Sequence, residues 1–151
     1  MWKAKAYQVL PKVAQDYPKH RWLFLTVTLK NCPIGELRQT LDWMNKSFVR
    51  LTKLKEWPGV GWIKLVEVTR GKNGNAHPHL HVLLMVEPGY FGPNYLSQER
   101  WVDLKSLKCF KSTEGRYTYS LVIAVTPSVA NGVRERCSLL IERLSRDTPY
   151  Y

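Results

Sequence analysis

Between residues 21 and 29 the chain reads RWLFLTVTL, an apolar, β-branched and aromatic run bounded by polar residues, which predicts a buried strand. Asn31 and Pro33 then mark a helix start. Leu37, Leu41, Met44, Phe48 and Leu51 follow at steps of four and three, an apolar stripe along one helix that Trp57, Pro58 and Gly59 end. Residues 60–70 (VGWIKLVEVTR) alternate as a strand does, and residues 79–87 (HLHVLLMVE) form another. GKNGNAHP between them is rich in turn formers, so the pair reads as a β-hairpin with a long tip. Residues 88–95 are a loop, and Ser97 is an N-cap for a short helix over 97–109. Residues 116–125 (RYTYSLVIAV) predict a further strand. Val129, Val133, Cys137, Leu140 and Leu144 stand at helical spacing over 129–144. The order β-α-β-β-α-β-α predicts an α+β fold, an antiparallel β-sheet with helices packed on one face, related to the split βαβ arrangement.

With 151 residues, 44% hydrophobic and 23% charged, the chain fits one globular domain over 1–151. Charge changes the picture more. There are 23 Lys+Arg against 12 Asp+Glu, a net charge of +11, and the sequence pI is about 9.7. A polyanion is the expected partner of so basic a small domain, nucleic acid before an acidic membrane surface. Eleven of the basic residues but only four of the acidic ones lie within residues 1–60. No apolar run reaches the roughly 18 residues of a membrane span, so no membrane-spanning segment is expected, and no membrane is counted among the partners. The first twenty residues lack the apolar core of a signal peptide. Cys32, Cys109 and Cys137 form no CxxC pair, so neither a disulfide frame nor a zinc cluster is expected, and a reducing cytoplasm is the simplest compartment.

His77, His79 and His81 place three of the four histidines within five residues. Side chains alternate along a strand, so His79 and His81 point the same way, and two imidazoles on one face suit a divalent metal ion. A hairpin turn centred on Gly74 sets Glu67 opposite His81 and supplies a carboxylate on that face. His77, before Pro78, falls outside the strand as a loop residue or supporting partner. Two histidines and one carboxylate leave coordination positions open, as Lewis-acid chemistry on a phosphate requires. A closed structural zinc site would need four protein ligands. The alternative is a set of surface strand histidines beside a solvated glutamate.

These residues resemble those of the HUH endonucleases. FLTVT at 24–28 is similar to the family's first motif, and His79-Leu80-His81 to its His-hydrophobic-His motif. LVEVTRGKNGNAHPHLHVLLMV, with YF at 90–91 and YLSQERWVDL at 95–104, is similar to the rolling-circle replication initiators of small bacterial plasmids. The resemblance covers about residues 22–104. It implies a ferredoxin/RRM-like palm and a metal-dependent endonuclease that nicks one strand of the plasmid origin, single-stranded or extruded as a hairpin. A tyrosine attacks the scissile phosphate and becomes joined to the 5′ end, freeing a 3′-OH. Glu67, His79 and His81 would hold Mn²⁺ or Mg²⁺. Host replication proteins are further candidate partners.

For the nucleophile the resemblance points beyond residue 104. Asp147-Thr-Pro-Tyr-Tyr151 places an acid four residues before Tyr151, with Tyr150 alongside. Here Asp147 stands where the family often has Glu, and Pro149 opposes a regular helix. Catalytic Tyr151 or Tyr150 with Asp147, or a frayed terminus, are the competing readings; Tyr117 and Tyr119 are the fallback. Tyr90 and Tyr95 match family positions as packing or DNA-contacting residues. Arg38, Lys46 and Arg50 on the first helix are expected to contact DNA phosphates, and Arg70 and Lys72 at the hairpin tip to position the scissile strand. Trp57, Trp62 and Trp101 suit base stacking or, more simply, the core. The competing functions are a single-tyrosine HUH transposase, against which residues 90–104 speak, a DNA-binding domain without nuclease activity, and a small metallohydrolase.

Overall fold

The computed structural model describes residues 2–104 and 119–126. The elements are α1 (Trp2–Asp16), β1 (Arg21–Leu29), α2 (Leu37–Thr52), β2 (Gly59–Arg70), β3 (Ala76–Val86), α3 (Gln98–Asp103) and β4 (Tyr119–Thr126). The four strands form one sheet in the order β2-β3-β1-β4, and every neighbouring pair is antiparallel. β1 and β2 flank β3, with α2 as their crossover, which is the split βαβ connection. The fold is α+β, as the element order predicts. The expected helix over 129–144 lies outside the described residues, as does the part of the 97–109 helix beyond Leu104.

Strand alternation divides the sheet into two unlike faces. Leu23, Leu25, Val27 and Leu29 of β1 and Leu80, Val82, Leu84 and Val86 of β3 are all buried on one face. Met44, Phe48 and Leu51 of α2 cover them, and Tyr90, Trp101 and Leu104 complete this core. From Leu41, packed at its border, to Leu51 the α2 stripe is the one its spacing predicts; Leu37, the expected first member, is half-buried and does not join this core. Thr40, buried on the same side of α2, donates its hydroxyl to the Glu36 carbonyl at 2.9 Å. Ser97 caps α3 as expected: its hydroxyl accepts from the Arg100 N–H at 3.2 Å.

The opposite face carries Trp22, Phe24, Thr26 and Thr28 of β1 with His77, His79, His81, Leu83 and Met85 of β3. At one end Leu10 and Val13 of α1 pack on Trp22, Leu83 and Met85. α1 has no counterpart in the element order read from sequence, and it places one helix on the face opposite α2 and α3. Its signal is Ala6, Leu10, Val13 and Tyr17 at helical spacing, masked by Pro11 within the helix, a residue that removes one backbone bond and usually ends a helix. No helix among the described residues is long and apolar enough to cross a membrane.

The hairpin differs from its expected form in two ways. β3 begins at Ala76, so the loop is only residues 71–75 and His77 lies in the strand. Pro78 is tolerated because the β1–β3 ladder ends at the Thr28–His79 pair, so no β1 carbonyl needs an N–H there. The turn is centred on Asn73 rather than Gly74, with φ of 67° at Asn73 and 75° at Gly74, and the Gly71 N–H donates to the Asn75 carbonyl at 2.7 Å. Two consecutive left-handed residues suit an Asn-Gly pair. At the other end of β2 the register slips between Gly59 and Gly61. A Cβ on Gly59 would run into the Leu84 and Trp57 side chains, so the close approach there requires glycine.

Candidate active site

Glu67 pairs with His79, not His81, two positions from the expected partner. Because side chains repeat every two residues, a two-residue displacement keeps Glu67 on the histidine face. Its carboxylate reaches diagonally to His81, with Oε2 2.8 Å from Nε2. The His81 side chain is 15% exposed and that of Glu67 22%. His77, His79 and His81 form a row, with ring centroids 4.4 Å apart for the first pair and 6.0 Å for the second. Phe24 continues the row, its ring stacked on His81 at 5.7 Å.

β1 supplies the support for this row. Thr28 pairs with His79 and Thr26 with His81, and each threonine hydroxyl lies 3.0 Å from the Nδ1 of its partner. The Nε2 atoms are thereby directed toward β2. The Thr69 hydroxyl stands 3.4 Å from His79 Nε2 and 3.4 Å from the His77 carbonyl. A hydroxyl both donates and accepts, so Thr26 keeps its bond to Nδ1 whether His81 presents an N–H or a lone pair at Nε2. With the proton on Nε2, His81 donates to Glu67; with the proton on Nδ1, Nε2 is free to ligate. Sequence reasoning assigned no task to Thr26 and Thr28. Their signal was available: two polar residues alternating with Leu25, Val27 and Leu29 mark the side of a buried strand that is not core.

Burial holds the His79 imidazolium below its usual range; the neighbouring charge of His77 adds to this, Glu67 opposes it and His81 contributes further lowering. A lowered native pKa makes the neutral ring the stable form. In EDTA, its contribution to stability should be complete above about pH 6.5 and decline as pH falls from there through the lowered native value. Urea midpoints compared between wild type and His79→Gln across pH 5–7.5 measure this; parallel curves would remove His79 as the source.

Among the described residues, no three or more His, Cys, Asp or Glu side chains have donor atoms already gathered for a metal ion. The donor chemistry of His79, His81 and Glu67 nevertheless fits a hard or borderline divalent ion: two imidazoles oriented through Nδ1, plus one carboxylate.

The remaining candidates fall elsewhere. Arg70 is exposed and pairs with Ala76, one position past Thr69, so alternation turns it toward the α2 side of the sheet, away from Glu67. Lys72 lies in the turn. Arg38, Lys46 and Arg50 are exposed on α2, across the sheet from the histidines. Trp101 is buried and donates Nε1–H to the Tyr90 hydroxyl at 3.1 Å; Trp57 packs edge-on against Phe48, Trp62 and Trp101. These indoles build the core, with Trp62 at its exposed rim. Burial raises the Tyr90 pKa, which keeps that phenol protonated and unsuited to attack. Tyr95 is exposed and stacks on Phe91 at 6.0 Å. Tyr119 opens β4 opposite Leu29. Tyr117, Asp147, Tyr150 and Tyr151 lie outside the described residues.

Residues 1–117 match a family described as "Replication protein". The chain is 43% identical over 101 residues to "Protein rep" of Streptococcus pneumoniae serotype 2 (strain D39 / NCTC 7466), covering 62% of this chain and 31% of that protein. It is 38% identical over 104 residues to "Replication protein" of Staphylococcus aureus, covering 65% and 44%. It is 36% identical over 102 residues to "Protein rep" of Lentilactobacillus hilgardii, covering 64% and 32%. The matched stretch thus spans between 31% and 44% of the length of these relatives. No solved structure matches the chain. The family match runs through the threonine strand, the histidine row and the Glu67 strand alike, and the chain belongs to the replication protein family.

Proposed function

We propose that this chain is a metal-dependent HUH endonuclease domain that initiates plasmid rolling-circle replication by nicking one strand of the origin. The carrying observation is the pair of histidines braced at Nδ1 by Thr26 and Thr28, with Nε2 atoms directed toward the Glu67 strand. His79, His81 and Glu67 would hold Mn²⁺ or Mg²⁺, which supplies Lewis-acid polarisation of a phosphate oxygen. The threonines fix the imidazole orientation. Partial burial of His81 and Glu67 keeps bulk water from competing for them.

In the proposed reaction a tyrosine phenolate oxygen bonds to phosphorus at the scissile position, and the bond from phosphorus to the 3′ oxygen breaks. The leaving oxygen takes up a proton as a free 3′-OH, and the 5′ phosphate stays on the tyrosine. Tyr151 or Tyr150, with Asp147 as proton acceptor, are the candidates; Tyr117 and Tyr119 follow. The substrate is single-stranded or hairpin-extruded origin DNA, since the tyrosine must reach a backbone phosphate.

The test is an SDS gel of the protein with labelled single-stranded origin DNA in Mn²⁺ or EDTA. A Mn²⁺-dependent shifted band is expected, and peptide mapping of it identifies the tyrosine. No band, with DNA binding intact, would assign the chain to DNA binding without nicking. The brace has its own expected outcome. Thr26→Val with Thr28→Val keeps β-branched residues in β1 and should weaken Mn²⁺ binding about 10–100-fold, measured by calorimetric titration. Unchanged affinity would show that the hydroxyls do not orient the ligands.

A further inference from the structure

We propose that the outward face of α2 is a second DNA-contact surface, one that takes duplex DNA by its phosphates and is separate from the histidine site across the sheet. The proposal rests on DNA being the substrate, and adds to it a different form of DNA on a different face. At 100° per residue, Arg38, Lys46, Arg50 and Lys53 fall within about a third of the helix circumference. All four are exposed, against Asp42 as the acid among them. Among the described residues none of the four forms an ion pair. Arg38 and Lys53 are about 22 Å apart along the axis at 1.5 Å per residue. Lys64 borders the same side, donating to Asn45 at 2.5 Å, and Arg70 turns toward it at the hairpin end.

The chemistry of this face distinguishes its occupant. Single strands are held by aromatic platforms interleaved with cations; the exposed positions of α2 carry no aromatic residue, and Trp43 at the edge of the basic stripe is half-buried against the core. Membrane insertion of an amphipathic helix requires a free apolar face, whereas Met44, Phe48 and Leu51 are already committed to the core. A line of unpaired cations matches what sequence-blind contact with duplex phosphates requires. The two faces are back to back, so one protein could hold a duplex flank while a single strand lies on the other side of the sheet.

The experiment measures binding of a fluorescent 20-base-pair duplex of arbitrary sequence in EDTA across a salt series. The probe is offered to wild type, to Arg38→Gln/Lys46→Gln/Arg50→Gln/Lys53→Gln, and to the charge-conserving Arg38→Lys/Arg50→Lys. Thermal unfolding confirms that each variant folds. Wild type should bind without metal. The four-fold variant should lower the slope of log affinity against log salt by about 3–4. Between 50 and 200 mM salt this makes its loss of affinity about 100-fold smaller than that of wild type. The charge-conserving variant should keep the wild-type slope, and a saturating unlabelled 20-nucleotide single strand should leave the duplex bound. An unchanged slope in the four-fold variant would overturn the proposal, as would loss of binding in EDTA or displacement of the duplex by the single strand. Stronger retention on phosphatidylserine vesicles or polyglutamate than on duplex would overturn it in favour of those partners. A chain that makes no SDS-stable adduct yet shows the slope change would lose the nicking reaction and keep this surface.

Discussion

His81→Ala is expected to reduce Mn²⁺-dependent formation of the SDS-stable DNA adduct by about 1,000-fold or more. His81 is the residue on which the site converges: Thr26 holds its Nδ1, Glu67 meets its Nε2 and Phe24 stacks on its ring. A Lewis acid contributes several kcal/mol to charge stabilisation, and each 1.36 kcal/mol corresponds to about tenfold in rate. Removing His81 also leaves the Glu67 carboxylate half-buried without its partner. The measurement is the single-turnover rate of adduct formation at saturating DNA. A rate within threefold of wild type would remove His81 from the chemistry. Glu67→Ala separates the two partners further: unchanged Mn²⁺ affinity together with an unchanged rate would take the carboxylate out of the ligand set.

Leu80→Ala is expected to destabilise the fold by about 2–5 kcal/mol. Leu80 sits between the two histidines and is fully buried, facing the α2 core. Truncation leaves a cavity under the strand that carries both imidazoles. Against a typical total of about 5–15 kcal/mol, the loss is large, and the urea midpoint should fall with an unchanged m-value. A loss under about 1 kcal/mol would mean that the core closes over the gap. The comparison with His81→Ala is informative because neighbouring residues on opposite faces should fail differently, one in stability and the other in chemistry.

The strands that carry the site were legible because each is strongly patterned. β1 coincides with the run read from sequence, and β2 and β4 lie within a few residues of theirs. Leu41 to Leu51 foretold the inward face of α2. The errors cluster at the hairpin, where a proline hid the start of β3 and the choice between Asn73 and Gly74 as the turn centre moved Glu67 by two positions. Period-two alternation absorbed that error, so the Glu67–His79–His81 grouping survived. The threonine brace was missed because pairing between β1 and β3 is a long-range property that periodicity within either strand cannot report. The side of the sheet taken by α2 could have been read: its apolar stripe must pack where Leu80 and Val82 point, which is the side away from the histidines. The nucleophile candidates fall on residues 117–119 and 147–151, outside the histidine site, so the pattern that located the candidate ligands offered no hold on them.

Helix α1, at the far end of the histidine face, has a consequence for how much of a DNA strand the proposed site could read. α1 closes over Trp22, Leu83 and Met85, so among the described residues the open part of this face of β3 runs from His77 to His81. At about 3.3 Å per residue that is a window of roughly 13 Å, room for only two or three nucleotides. On the proposed function, recognition confined to so short a window would discriminate few bases, so the longer address of an origin would have to be read by contacts made off this face.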